Sequence, residues 1–238
     1  MLLTTMTPTE INTQIYREYD KLYSTTVIRL LYEYDRERKK LKIDKTRLYT
    51  KDYHVKTKDK NKWIIFIGKA PAIDKYNGPQ TTAVNCSVYY HTEKGIRVFN
   101  PCPNDIVEVY NSHFFARYNE RLGLNLTNTV DIITHFFKYN RDHKVVTDEK
   151  GDRMLTTGFC KHGLLLGEYD ISYNYDWLVW KTFVSRNLTR KDQKKTENEI
   201  LQEIITAYQT ELQKQECDKQ LLWNYQNKIR EITGAVAE

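Results

Sequence analysis

The sequence contains few of the residues that build loop-rich or fibrous chains, with only 9 glycines and 5 prolines among 238 residues. This composition excludes a collagen-like or linker-dominated protein. No apolar run approaches the ~18 residues that a membrane-spanning helix needs, and the first residues lack the basic and apolar regions of a signal peptide. We therefore expect a folded, cytoplasmic protein with no membrane partner.

Cysteine is also scarce: Cys86, Cys102, Cys160 and Cys217 are scattered, and no two have the C-x-x-C spacing typical of zinc or redox sites. Cys160 precedes His162 by two residues, but one such pair does not make a metal site. The chain also lacks H-E-x-x-H, G-x-S-x-G, Walker and G-x-G-x-x-G motifs, and its acidic residues are not clustered as in two-metal nucleases. The sequence predicts free thiols, no metal and no cofactor.

Aromatic residues, by contrast, are abundant, with 18 tyrosines and 8 phenylalanines, and hydrophobic residues make up 40% of the chain. A chain of this length and composition can bury a substantial core. The formal net charge of +6 is compatible with a nucleic-acid or acidic partner but does not require one.

The periodicity of apolar residues divides the chain into three parts. A spacing near 3.6 predicts long helices over residues 7–40 and again over 192–233, whereas the middle of the chain alternates short strand-like runs with turns. We expect an α+β fold in which a mostly antiparallel sheet with two packed helices is flanked by long helical arms at both termini. The expected domains are an N-terminal helical arm with a basic linker (1–61), an α+β core (62–188) and a C-terminal helical arm (189–238).

The N-terminal helix carries a clear start signal. Thr7 is predicted as the N-cap, Pro8 as the first helical residue and Glu10 as the partner that completes a capping box. Residues 24–27 are weaker helix formers and predict a break. The lysine- and arginine-rich stretch 36–62 predicts a solvated face or loop.

A short helix from Ser112 to Gly123 is the main candidate for chemistry. Ser112 is a suitable N-cap, and Gly123 can adopt the left-handed conformation that ends a helix. His113, Arg117 and Arg121 recur every four residues, so they are predicted to share one stripe of the helix surface. The stripe is either a solvated basic face or a site for a phosphate-rich ligand.

This helix, followed by a second helix, a loop and antiparallel strands, resembles a set of small toxin-like proteins related to the barnase/RelE-like ribonuclease fold. Their motif is close to His-Ala-x-x-Arg-x-x-x-Arg-Gly. The matching residues here are His113, Arg117, Arg121 and Gly123. The resemblance covers roughly residues 105–185, which is under half of the chain.

Two positions depart from the family pattern: Phe114 stands where the family has alanine, and Leu122 is inserted before the glycine. The later match runs from 157–159 through 167–168 and continues with 180–184.

The resemblance implies metal-independent RNA cleavage. That reaction needs a base for the 2′-hydroxyl proton, an acid for the leaving 5′-oxygen and cations for the phosphorane. His113 would supply the acid or the base, and Arg117 and Arg121 would clamp the phosphate with their planar guanidinium groups.

Residues outside the helix are expected to complete this site. Lys181, Thr182 or Ser185 would do so if the last strand crosses beside the helix. Lys161 and His162 lie at a predicted hairpin tip, which could face the substrate.

Each of these residues also has an ordinary structural reading. His113 could cap the helix, and Arg117 and Arg121 could pair with nearby acidic residues. Lys181 and Thr182 could be plain strand surface, and His162 could be a solvent-exposed residue of the hairpin tip with no role in chemistry. His135, beside two phenylalanines of the second helix, is interpreted as a half-buried packing residue. The alternative function is accordingly a non-enzymatic module that binds a protein partner or self-associates through its helical arms.

Overall fold

The structure is a computed structural model, and it describes residues 2–43, 49–69, 82–102, 106–140, 144–150, 153–173 and 175–188. The expected C-terminal helical arm, residues 189–238, lies outside the described residues. The described helices are α1 (Pro8–Lys21), α2 (Ile28–Lys40), α3 (Ser112–Leu122) and α4 (Thr129–Tyr139). The strands are β1 (Tyr49–Lys56), β2 (Lys62–Lys69), β3 (Thr82–Thr92), β4 (Gly95–Pro101), β5 (Val107–Tyr110), β6 (Lys144–Lys150), β7 (Arg153–Cys160), β8 (Gly163–Tyr173) and β9 (Tyr175–Ser185).

The strands form one nine-stranded sheet in the order β1-β2-β3-β4-β5-β9-β8-β7-β6. Every pair is antiparallel except β5 and β9, which run parallel. The parallel pair arises because the chain leaves the sheet after β5 through α3 and α4 and re-enters at the far edge with β6. The predicted α+β class with a mostly antiparallel sheet is confirmed.

Helices cover both faces of the sheet. On one face, α3 and α4 share a hydrophobic core with sheet side chains that include Phe66, Val98, Tyr110, Trp180 and Phe183. On the other face, apolar residues of α1 and α2 pack with sheet side chains that include Trp63, Ile65, Val88, Phe99 and Val109. The described N-terminal helices therefore form a layer on the sheet. No helix in the described ranges is long and apolar enough to cross a membrane.

The start of α1 agrees with the sequence prediction. The Thr7 main-chain N–H donates to Glu10 Oε2 at 2.7 Å, and the Glu10 N–H donates to Thr7 Oγ1 at 3.3 Å, which completes the capping box. At the predicted break, a π-helical segment, Leu22–Val27, joins α1 to α2. The helix therefore changes its hydrogen-bonding pattern there without ending.

Strand β1 lies inside the stretch that was expected to be a basic loop. It pairs with β2 from Tyr49↔Lys69 to Lys56↔Lys62. Side chains at alternate positions of β1 pack against the hydrophobic core that α1 and α2 share with the sheet; these are Tyr49, Tyr53 and Val55. The period of two that marks a half-buried strand is therefore present, but the surrounding charges obscure it.

Candidate functional site

The N-cap of helix α3 lies one residue earlier in the sequence than predicted. Asn111, not Ser112, is the N-cap, because its side chain accepts from the Phe114 N–H at 2.9 Å. The Ser112 hydroxyl instead donates to the carbonyl of Lys94 at 2.7 Å, which ties the helix to the β3–β4 turn. Gly123 ends the helix in the left-handed conformation, with φ 61°, as predicted.

Aromatic packing positions α3 against α4 and β9. The ring of Tyr118 lies 4.9 Å from that of Phe183 on β9 and 5.2 Å from that of Phe136 on α4. Phe114 contacts the same two rings, at 6.3 Å and 5.1 Å. The buried face of α3 thereby brings the polar end of Tyr118 to the place where α4 and the β7–β8 turn meet.

The three basic residues of the predicted stripe have different surroundings. Within the described ranges, His113 is exposed and has no hydrogen-bond or ion-pair partner. Arg117 pairs with Glu120 on the same helix at 2.7 Å. Arg121 is half-buried, and its Nη1 donates to the main-chain carbonyl of Phe183. Arg121 therefore fastens α3 to β9, whereas His113 and Arg117 remain on the outer surface.

The candidate residues of β9 are also dispersed. Lys181 occupies a bulge, since Leu166 and Gly167 of β8 pair with Thr182 and Trp180, and its Nζ lies 2.5 Å from Glu168 Oε2. Ser185 is buried and pairs with Gly163. The last strand does cross beside α3, but the described polar contact between them is made by Arg121 and not by Lys181 or Thr182.

A different set of polar residues converges at the end of α3 and α4. The buried hydroxyl of Tyr118 lies 2.9 Å from Nδ1 of His135 and 2.9 Å from Nδ1 of His162. The Asn140 Nδ2 donates to the same hydroxyl at 3.1 Å. We call Tyr118, His135, Asn140 and His162 the tyrosine–histidine cluster.

Main-chain contacts fix the orientation of the Asn140 amide in this cluster. Its Oδ1 accepts from the main-chain N–H of His162 at 3.1 Å, and its Nδ2 donates to the carbonyl of Phe136 at 3.0 Å. Because one partner is a donor and the other an acceptor, exchange of the amide oxygen and nitrogen would break both bonds. Asn140 is therefore a fixed point that holds the β7–β8 turn to α4.

The two imidazoles of the cluster form an aromatic layer together with a third ring, that of Tyr139. The imidazoles of His135 and His162 are nearly parallel, with centroids 6.0 Å apart and an interplanar angle of 21°. The Tyr139 ring lies 4.7 Å from His135 and 5.8 Å from His162. Tyr139 is 41% exposed, so this layer presents an aromatic surface to solvent.

Cationic side chains surround the layer. The Nζ atoms of Lys138 and Lys161 lie 5.5 Å and 5.8 Å from the centroid of the Tyr139 ring. Arg186 donates through Nε to the carbonyl of Lys161 at 2.8 Å, and its main-chain N–H donates to the carbonyl of His162 at 3.2 Å. The site therefore combines two imidazoles with positive charge from three elements, which favours an anionic ligand.

The environment keeps both imidazoles neutral near pH 7. Burial is the largest cause that lowers the pKa of His162 to about 4, and the neighbouring His135, Lys161 and Arg186 contribute to the same lowering. Burial and Lys138 likewise lower the pKa of His135. Burial raises the pKa of Tyr118, so its hydroxyl stays protonated.

Sequence reasoning identified His162 and Lys161 but missed Tyr118, His135 and Asn140. Tyr118 lies on the apolar face of α3, where the sequence pattern favours packing, and His135 lies next to Phe136, which favours the same interpretation. The available signal was the pair of polar-tipped residues in α4, His135 and Tyr139, which the helical spacing of four places on one face.

No group of three or more potential metal ligands occurs among the described residues. The described cysteines, Cys86, Cys102 and Cys160, are free. Comparison of the chain with protein-family models, curated proteins and solved structures finds no match. Function is therefore inferred from the chemistry of the tyrosine–histidine cluster itself.

Proposed function

We propose that this protein binds single-stranded RNA at the tyrosine–histidine cluster and cleaves it without a metal ion. The observation that carries the proposal is that the imidazoles of His135 and His162 both contact the hydroxyl of Tyr118. The ammonium groups of Lys138 and Lys161 lie close to these rings, next to Tyr139. Neutral imidazoles can act as a general base near pH 7.

The free ring nitrogens of the cluster suit this reaction. Since Nδ1 of both His135 and His162 faces Tyr118, Nε2 of each ring faces away from it. Neither Nε2 has a hydrogen-bond partner in the described part of the chain. Two nitrogens are thus available for the two proton transfers of phosphodiester cleavage.

The exposed ring of Tyr139 supports a single-stranded substrate. Unstacked bases pack on exposed aromatic rings with little dependence on sequence. The ammonium groups of Lys138 and Lys161, which lie 5.5 Å and 5.8 Å from the centroid of that ring, are suited to the flanking phosphates.

The residues predicted from the sequence take supporting roles in this proposal. Arg117 and His113 on the outer face of α3 would contact phosphates further along the strand, and Arg121 would hold α3 against β9. Lys181, Thr182 and Ser185 would support the site from β9. The order of α3, α4 and the antiparallel strands supports the proposed relation to barnase/RelE-like toxins.

A cytoplasmic location is part of the proposal. It is supported by the three free cysteines among the described residues, since reduced thiols are typical of the cytoplasm.

Binding and cleavage of a short labelled single-stranded RNA would test the proposal. Wild-type protein is incubated with the RNA at low and moderate salt in the presence of EDTA, and the same samples are analysed for bound and cleaved RNA. We expect salt-sensitive binding and cleavage that is lost in His135→Asn and His162→Asn. The matched control is His91→Asn, which changes an exposed histidine of β3.

Two results would overturn parts of this proposal. Absence of RNA binding by wild-type protein at low salt would exclude RNA as the ligand. Loss of cleavage in His113→Asn but not in the two cluster variants would return the chemistry to the outer face of α3.

A second candidate function is the non-enzymatic interaction module. One observation favours it: Tyr23, Ile28 and Tyr32, in the π-helical segment and α2, are exposed by 43%, 46% and 75%. An exposed group of large apolar residues is typical of an interaction surface. Sedimentation velocity over a range of concentrations would test self-association, and Ile28→Lys/Tyr32→Lys should abolish any dimer.

A further inference from the structure

The hydroxyl of Tyr118 contacts the Nδ1 atom of each of two imidazoles. Nδ1 of His135 and Nδ1 of His162 each lie 2.9 Å from it. A tyrosine hydroxyl has one proton to donate, so it can donate to only one of the two nitrogens. For the other contact to be a hydrogen bond, that Nδ1 must carry a proton and donate it to the tyrosine oxygen.

The Asn140 amide determines which nitrogen carries the proton. Its Nδ2 donates to the Phe136 carbonyl, and the second amide proton is directed toward the Tyr118 oxygen at 3.1 Å and Nδ1 of His162 at 3.3 Å. A proton on Nδ1 of His162 would face this amide proton. Nδ1 of His162 is therefore an acceptor, and Nδ1 of His135 is the donor.

We infer that Tyr118 holds the two imidazoles in opposite tautomers and links them as a proton relay. His135 carries its proton on Nδ1 and presents an unprotonated Nε2. His162 carries its proton on Nε2 and accepts the Tyr118 proton at Nδ1. The chain of donors runs from His135 through the tyrosine oxygen to His162.

This arrangement assigns roles for RNA cleavage, and that part rests on the function proposed above. Nε2 of His135 takes the 2′-hydroxyl proton as the 2′-oxygen bonds to phosphorus. The bond from phosphorus to the 5′-oxygen breaks, a 2′,3′-cyclic phosphate forms, and the leaving oxygen takes the Nε2 proton of His162. The Nδ1 proton of His135 moves to the Tyr118 oxygen while the tyrosine proton moves to Nδ1 of His162, so both imidazoles finish neutral.

Hydrolysis of the cyclic phosphate resets the relay. Nε2 of His162, now unprotonated, takes a proton from water as the water oxygen bonds to phosphorus. The bond from phosphorus to the 2′-oxygen breaks, and this oxygen takes the Nε2 proton of His135. The two inner protons return through Tyr118. After cleavage the two imidazoles have the tautomers that hydrolysis needs, and after hydrolysis they again have the tautomers that cleavage needs. The protein gains and loses no net proton.

The tautomers can be measured without any substrate. Two-bond ¹H–¹⁵N correlation spectra of the full-length protein at pH 7 distinguish a protonated ring nitrogen from an unprotonated one. We expect the Nδ1–H form for His135 and the Nε2–H form for His162. In Tyr118→Phe the two histidines should no longer have opposite tautomers. In Tyr139→Phe they should keep opposite tautomers, because the Tyr139 ring contacts both imidazoles while its hydroxyl bonds to no described residue.

The outcomes separate the relay from the ribonuclease proposal. The same tautomer in both histidines of the wild type, or an opposite pairing that survives Tyr118→Phe, would overturn the relay whatever the RNA assay gives. Opposite tautomers that depend on Tyr118, in a protein that neither binds nor cleaves RNA, would support the hydrogen-bond arrangement and overturn the ribonuclease function. Circular dichroism of Tyr118→Phe checks that the variant is folded.

Discussion

The hydroxyl of Tyr118 lies 2.9 Å from Nδ1 of His162, although the two residues are 44 positions apart in the chain. Tyr118 reaches this position because its ring is anchored by Phe136 and Phe183. His162 reaches it because its main-chain N–H is held by Asn140. A polar contact on which the proposed chemistry depends is thus created by apolar packing on one side and a side-chain amide on the other.

Removal of the Tyr118 hydroxyl should slow cleavage without preventing binding. In Tyr118→Phe the imidazoles lose their connection, and we expect kcat to fall by about 10²-fold, at the low end of what general acid–base catalysis contributes. The KM for RNA should change little, since the lysines and Tyr139 remain. Steady-state kinetics on a short RNA would measure both constants, and an unchanged kcat would contradict the role of Tyr118.

The two arginines of α3 should differ in their effect on stability. Arg121→Met removes the donor to the Phe183 carbonyl, and we expect a loss of about 1–2 kcal/mol in the free energy of unfolding. The matched change Arg117→Met removes an exposed ion pair with Glu120 and should cost only about 0.3 kcal/mol. Urea unfolding of the two variants provides the comparison, and equal losses would contradict the distinction between them.

Stability should depend on pH through His162. Its pKa is lowered to about 4 in the folded protein from 6.5 in an unfolded chain, so the unfolded state binds more protons between these pH values. The contribution of neutral His162 to the free energy of unfolding is therefore fully present above pH 6.5, and it decreases as the pH falls toward 4. Urea unfolding at several pH values should therefore show a shallower dependence in His162→Gln than in wild type.

His91→Gln, which changes an exposed histidine, is the control for this measurement. If it alters the pH dependence as much as His162→Gln does, the effect does not come from the cluster.

Two glycines beside the site should respond differently to alanine. At Gly163, φ is 157° and an added Cβ would lie 2.0 Å from the carbonyl oxygen of Val184, so the β7–β8 turn that carries His162 must shift. We expect Gly163→Ala to cost at least about 3 kcal/mol and to disturb the His162 resonances. At Gly123, φ is 61°, but no atom of a described residue other than its chain neighbours lies within 4 Å of the added Cβ, so Gly123→Ala should cost only about 1 kcal/mol. Thermal and urea unfolding would test the ranking, and similar costs for both would contradict it.

Local patterns were sufficient for much of the fold. The capping box at Thr7 and Glu10, the end of α3 at Gly123 and the α+β class could all be predicted because caps and hydrophobic periods act over a few residues. Strand β1 was missed because its charged neighbours concealed an alternating pattern. The parallel pairing of β5 with β9 joins strands with α3, α4 and three other strands between them in the chain, and no local pattern contains it.

Tertiary structure determined more of the candidate site than of the fold. The sequence alone determined that α3 carries His113, Arg117 and Arg121 at helical spacing. The sheet decided that Arg121 turns to β9 while Arg117 stays in solvent, because successive steps of four residues rotate by about 40° around a helix and so reach different neighbours. Tyr118 has an apolar body and a polar tip, and only the packing of α3, α4 and the β7–β8 turn determines that the tip meets two histidines.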